Sequence, residues 1–149
     1  MGNVYRAYGT DKDATKEGVW HEFELNGELL CSMKIRPQHP ALNGSWRKAR
    51  LDLALKLRDW AREHHVTMAD AAMEIPEDTD VEMMAEAFFE AIVTDWRDLQ
   101  AKSGKELAFS KKNFVKVMVD LPLLFDAVQI RSKNWTTYKL EQETDAVKP

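Results

Sequence analysis

The sequence predicts an α+β fold that is mainly α: an N-terminal β-hairpin followed by a bundle of about four to five helices. Three observations carry this expectation. Residues alternate between two faces on either side of Asn26-Gly27, with Val19, His21, Phe23 and Leu25 before the break and Leu29, Cys31, Met33 and Ile35 after it. From Leu42 onward the apolar spacing lengthens to three and four residues, the period of a helix packed on one side. Capping and turn residues, among them Thr67, Thr79, Gly104, Ser110 and Asp120, then punctuate the helical stretches.

With 149 residues, 44% hydrophobic and 31% charged, the chain suits one domain with a real core. A net charge of -4 and a pI near 5.6 argue against a main partner that is nucleic acid or an anionic membrane, since either calls for a basic face. The acidity is local: residues 66–100 hold one basic and ten acidic side chains, whereas the segments on either side are slightly basic. Cys31 is the single cysteine, so no intramolecular disulfide can form and a reducing cytoplasm suits the chain. The first residues lack the apolar core of a secretory signal, and no apolar run is long enough for a bilayer; the expectation is a soluble intracellular protein.

In order, residues 1–16 show no period and are expected to form a mobile arm that docks through Tyr5 or Tyr8. The hairpin occupies 17–36, and a three-residue loop, Asn26 to Glu28, would pair Leu25 with Leu29 and Phe23 with Cys31. That leaves Trp20, Glu22 and Glu24 on the wetter face. Pro37 and Pro40 end the second strand, and Asn43 or Ser45 caps a helix over about 43–65 with the stripe Leu42, Trp46, Ala49, Leu53, Leu57 and Trp60. Thr67 opens a short helix over 67–74. Thr79 with Glu82 reads as a capping box for a helix over about 80–101, closed by Trp96 and Leu99 and ended at Gly104. Ser110 caps a helix over 111–119, and Asp120 caps a last one over 121–137 that begins with Pro122. The domain is expected to span 17–138, with a disordered polar tail over 139–149.

The helix from Thr79 is apolar on more than one side. Either it packs on most of its circumference, or one side is kept for a partner, and that second reading makes Met83, Met84, Phe88 and Phe89 the candidate partner-binding residues. Metal chemistry finds no support: His64 and His65 are adjacent and diverge on a helix, His21 and His39 have no ligand spacing, and the calcium-like run from Asp78 fails at Met83 and Phe89. No cofactor motif, phosphate loop, nucleophile elbow or zinc helix occurs, so an enzyme is not expected.

Taken together, the ordered set Lys16-Glu17-Gly18-Val19-Trp20, Asp95-Trp96 with Leu99, Gly104, Leu107, Phe109-Ser110 and Asn113, then Asp120-Leu121-Pro122, resembles the tail assembly chaperones of long-tailed, siphovirus-like bacteriophages. The resemblance covers roughly residues 10–138 and makes Gly18, Trp20, Trp96, Gly104, Phe109, Ser110, Asp120 and Pro122 its structural motif residues. Two departures stand out. Arg36-Pro37-Gln38-His39-Pro40 replaces the usual step into the first helix, and Phe109 replaces a tyrosine. The resemblance implies a protein of the host cytoplasm, absent from the mature virion, that binds the tape measure protein, keeps it soluble and helps recruit tail tube protein subunits. It also implies, in some relatives, a frameshifted longer form that contacts the tube protein, and self-association on the client is a further expectation. A small acidic phage adaptor or host-interaction protein is the alternative that the composition leaves open.

Overall fold

The hairpin tip sets the register of the sheet. In the computed structural model, which describes residues 2–140, strands β1 (Val19–Leu25) and β2 (Glu28–Ile35) run antiparallel. Asn26 and Gly27 both adopt positive φ, 52° and 81°, which makes a two-residue turn whose twist matches the strands. The expected three-residue loop is therefore corrected: Leu25 pairs with Glu28, and Glu24 with Leu29. A bulge then leaves Leu30 unpaired, which restores the facing of Phe23 with Cys31, His21 with Met33 and Val19 with Ile35.

The larger correction concerns the helix expected over 80–101. Helix α5 covers only Glu77–Ala91, and the chain then enters a third strand, β3 (Val93–Arg97), antiparallel to β2 in a sheet ordered β1-β2-β3. The run Ile92-Val93-Thr94 is β-branched, and β2 presents an open edge to it. The helical spacing of Val93 and Trp96 arises from another bulge. Val93 faces Ile35, Asp95 faces Lys34 and Trp96 faces Met33, so Thr94 is extra and two core residues stand three apart within a strand.

Helix α3 (Gly44–Glu63) starts at Asn43, α4 (Met68–Glu74) at Thr67 and α6 (Lys111–Asp120) at Ser110, each capped by that side chain. Other caps differ from expectation. Helix α5 begins after Pro76 with no side-chain cap, so Thr79 and Glu82 lie inside it; its acidic first turn suits the helix dipole instead. Asp120 is the exposed last residue of α6, ion-paired with Lys116 at 2.9 Å, and does not cap α7 (Pro122–Lys133). Pro122 at the first position lacks an N–H, which removes one donor that a cap would have to satisfy. Gly104 has the expected positive φ, 89°, but it turns the loop between β3 and α6 rather than ending a helix. The last helix stops at Lys133, and a 3-10 turn, Trp135–Tyr138, follows.

The first sixteen residues also depart from expectation, because they contain two short helices, α1 (Val4–Tyr8) capped by Asn3 and α2 (Lys12–Glu17) capped by Asp11. They dock mainly through backbone: Tyr5 and Tyr8 are 87% and 78% exposed, and Tyr8 adds a ring contact with Lys139 Nζ at 5.8 Å. Asp11 N–H donates to the Tyr138 carbonyl at 2.8 Å, Leu140 N–H donates to Gly9 at 3.0 Å, and the Tyr138 hydroxyl donates to Ile35 at 2.6 Å. Both ends of the described chain are thus tied to β2. Of the tail expected over 139–149, residues 141–149 lie outside the described part.

Phe23, Cys31, Met33, Ile35, Val93 and Trp96 form the sheet's contribution to one core, which Trp46 and Ala49 of α3, Phe88 of α5, Phe114 and Met118 of α6 and Phe125 of α7 complete. On the opposite face the Arg97 guanidinium stacks 3.7 Å from the Trp20 ring.

Candidate partner-binding groove

Asn43 fixes how α3 meets α5. Its side chain is fully buried; the amide donates to the carbonyls of Pro37 at 3.1 Å and Ala91 at 2.8 Å, and its oxygen accepts from Trp46 N–H at 3.2 Å. Trp46 then meets Phe88 edge to face at 5.4 Å. Beyond this anchor the burial of α3 thins out. Ala49 and Ala61 are buried, Leu53, Leu57 and Trp60 only partly, and Leu51 and Leu55 remain 61% and 38% exposed.

Between the two helices runs an open groove of about 470 Å³ lined by Ala49, Leu53, Leu55, Met83 and Ala87, with Ser45, Lys48, Asp52, Lys56, Asp59, Glu86 and Glu90 around it. Alanines at 49 and 87 leave room for an incoming side chain where larger residues would fill the space. An ion pair from Lys56 to Glu86 at 3.3 Å crosses the groove, and Lys111 of α6 holds Glu90 of its rim at 3.1 Å; both are exposed enough to open with little loss of stability.

The four residues expected at a partner surface occupy different environments. Met83 lines the groove and is partly exposed. Met84 packs against the core from its edge, and Phe89 joins a ring cluster with Phe109 at 5.1 Å and Phe114 at 6.1 Å. Phe88 has no exposed surface and sits between Trp46 and Phe125. The motif residues are spread through the fold. Gly18 closes α2, Trp20 lies on the outer sheet face, and Trp96 is buried with its indole N–H donating to Leu107 at 2.9 Å. Phe109 meets Trp96 edge to face at 5.3 Å, and Ser110 caps α6. Sequence reasoning missed Leu51 and Leu55 of α3. Their signal was available: two leucines four apart, lying off the stripe that runs from Leu42 to Trp60.

The groove lining contains no histidine or cysteine, and among the described residues no group of three or more His, Cys, Asp or Glu could hold a metal ion. The perturbed groups lie elsewhere. Burial lowers the His21 pKa, helped by the Arg131 charge; burial also raises the Cys31 thiol to about 11 and pushes Tyr138 upward. A thiol so raised stays protonated and unreactive near neutral pH. No helix among the described residues is long and apolar enough to cross a membrane.

The fold is thus an α+β arrangement of a three-stranded antiparallel sheet with helices, and α3 and α5 line an open, partly apolar groove on it. The sequence matches the YdaY prophage protein family over residues 55–149, and the chain belongs to that family. It is therefore a phage-derived protein. No curated protein and no solved structure shows significant similarity to the chain.

Proposed function

We propose that this prophage protein is a tail assembly chaperone that binds the tape measure protein in the host cytoplasm, keeps it soluble and helps bring tail tube subunits to it, without entering the mature virion. The observation that carries this reading is the groove between α3 and α5, where Met83 and the adjoining leucines remain accessible beside a charged rim. The prophage family and the ordered motifs from Lys16 to Pro122 support it.

The action is non-covalent and uses no cofactor. A hydrated apolar helix on the client gains about 25 cal/mol for each Å² of apolar surface it buries, and a flexible thioether such as Met83 adapts to varied side chains. Binding of this kind needs an amphipathic client helix, not one fixed sequence.

Co-expression with the tape measure protein of the same prophage tests it. A soluble complex that survives size-exclusion chromatography is expected, and Met83→Glu, with its fold checked by circular dichroism, should return the client to the insoluble fraction. If no soluble complex forms when both partners are expressed, the chaperone reading fails, and the small-adaptor alternative takes its place.

A further inference from the structure

We propose that α3 is also a self-recognition element, pairing antiparallel with α3 of a second copy of this chain about a two-fold axis near Ala54. The exposed α3 rim of the groove carries Lys48, Asp52, Leu55, Lys56 and Asp59, with Leu51 beside them, spaced so that all six share one side of the helix. The order of charges reads nearly the same under reversal with change of sign. In an antiparallel pair centred near Ala54, Lys48 faces Asp59 of the other copy, Asp52 faces Lys56, and Leu51 meets Leu55 at the centre. Each contact occurs twice, as a two-fold interface requires.

Charge complementarity selects a second copy over another occupant. Leucines at 51 and 55 are the apolar residues between the charges, and the registers that bring them together and that match each charge pair lie within about 3 Å of one another along the helix, a distance long side chains span. Lys48 and Asp52 have no ion pair among the described residues, and the bonds of Lys56 to Glu86 and of Asp59 to Arg58 are exposed pairs at 3.3 Å that exchange readily. From Lys48 to Asp59 the helix runs roughly 18 Å, too short to bury a standard-size interface. The association is therefore weak, concentration-dependent and sensitive to salt.

Lys48, Asp52, Leu55, Lys56 and Asp59 all border the groove, so the second copy covers its mouth. Self-pairing would then compete with a client, a consequence that rests on the proposed function, whereas the pairing itself is tested on the chain alone.

Sedimentation velocity over a concentration series, at low and high salt, is the test. The native chain is expected to shift from monomer to dimer with rising concentration and to shift back with salt. One variant carries Lys48→Asp with Lys56→Asp, and another carries Asp52→Lys with Asp59→Lys. Each alone should weaken dimerisation at least tenfold, and an equimolar mixture should form a dimer at least as tight as the native one, because every facing pair is again opposite in sign. Leu51→Ser with Leu55→Ser should give a folded monomer. A native chain that stays monomeric throughout, reversed variants that dimerise like the native chain, or a mixture that fails to associate would each overturn the proposal. Client solubilisation by a chain that never dimerises would leave the chaperone reading standing and remove only this one.

Discussion

Asn43 and Ala91, the cap of α3 and the last residue of α5, are joined by a 2.8 Å hydrogen bond from the Asn43 amide to the Ala91 carbonyl. The same amide donates to Pro37, and the oxygen receives Trp46 N–H, so one fully buried side chain satisfies three backbone groups from three segments. Asn43→Ala leaves two carbonyls and a helix N–H without these partners, at a cost of about 3 kcal/mol. Urea denaturation measures it. Asn43→Asp should do no better, because a carboxylate caps Trp46 but faces both carbonyls with no donor.

Much of this arrangement was legible in the sequence. The hairpin, the helices of 43–65, 67–74 and 111–119 and the caps Thr67 and Ser110 follow from local pattern, and the structure contains them within a few residues. The strand β3 was not legible, because its bulge at Thr94 gives Val93 and Trp96 the spacing of a helix, and only pairing with β2 distinguishes the two. The groove was half legible. A surplus of apolar residues on α5 fits either a mostly buried helix or a partner surface, and separating Met83 from Phe88 requires knowing that Trp46 and Phe125 enclose Phe88.

That separation gives a paired prediction. Phe88→Ala opens a cavity in a dry aromatic cluster and should cost about 3–5 kcal/mol, a drop in Tm of roughly 10 °C. Met83→Glu, at a groove position that water already reaches, should change stability by less than about 1 kcal/mol while abolishing client solubilisation. Thermal melts and co-expression of both variants check this. Equal loss of stability in the two would mean that Met83 belongs to the core.

Stability should fall on both flanks of neutral pH, through two residues of the sheet. The folded pKa of His21 is lowered by burial and then by Arg131, so the contribution of the neutral imidazole is complete above about 6.5 and declines as pH falls below it, where the unfolded chain takes up protons first. Cys31 behaves in the opposite direction. Burial raises its thiol from 9.0 to about 11, so the stability tied to the protonated thiol is complete below pH 9.0 and lost as pH rises toward 11. Urea midpoints measured across this range should therefore form a dome. His21→Leu should flatten its acid side and Cys31→Val part of its alkaline side; unchanged flanks in those variants would assign the pH dependence to other groups.

Gly18 and Gly104 offer a last comparison, because they share nearly the same φ, 93° and 89°, in different surroundings. A Cβ at Gly104 would meet nothing within 4 Å, whereas one at Gly18 would lie 3.1 Å from the backbone carbon and oxygen of Ile35. Gly104→Ala should therefore cost only the strain of a left-handed backbone, about 1 kcal/mol. Gly18→Ala adds a collision with β2 at the point where α2 hands the chain to β1, and where Ile35 also accepts from Tyr138. A side chain there must push the N-terminal helices off the strand or rotate the peptide, so the expected loss is about 3 kcal/mol, with the excess set by crowding. Hydrogen exchange tells the two costs apart. In Gly18→Ala the amides of Asp11 and Leu140, which tie the chain ends together, should exchange faster than in the native protein, and in Gly104→Ala they should not change.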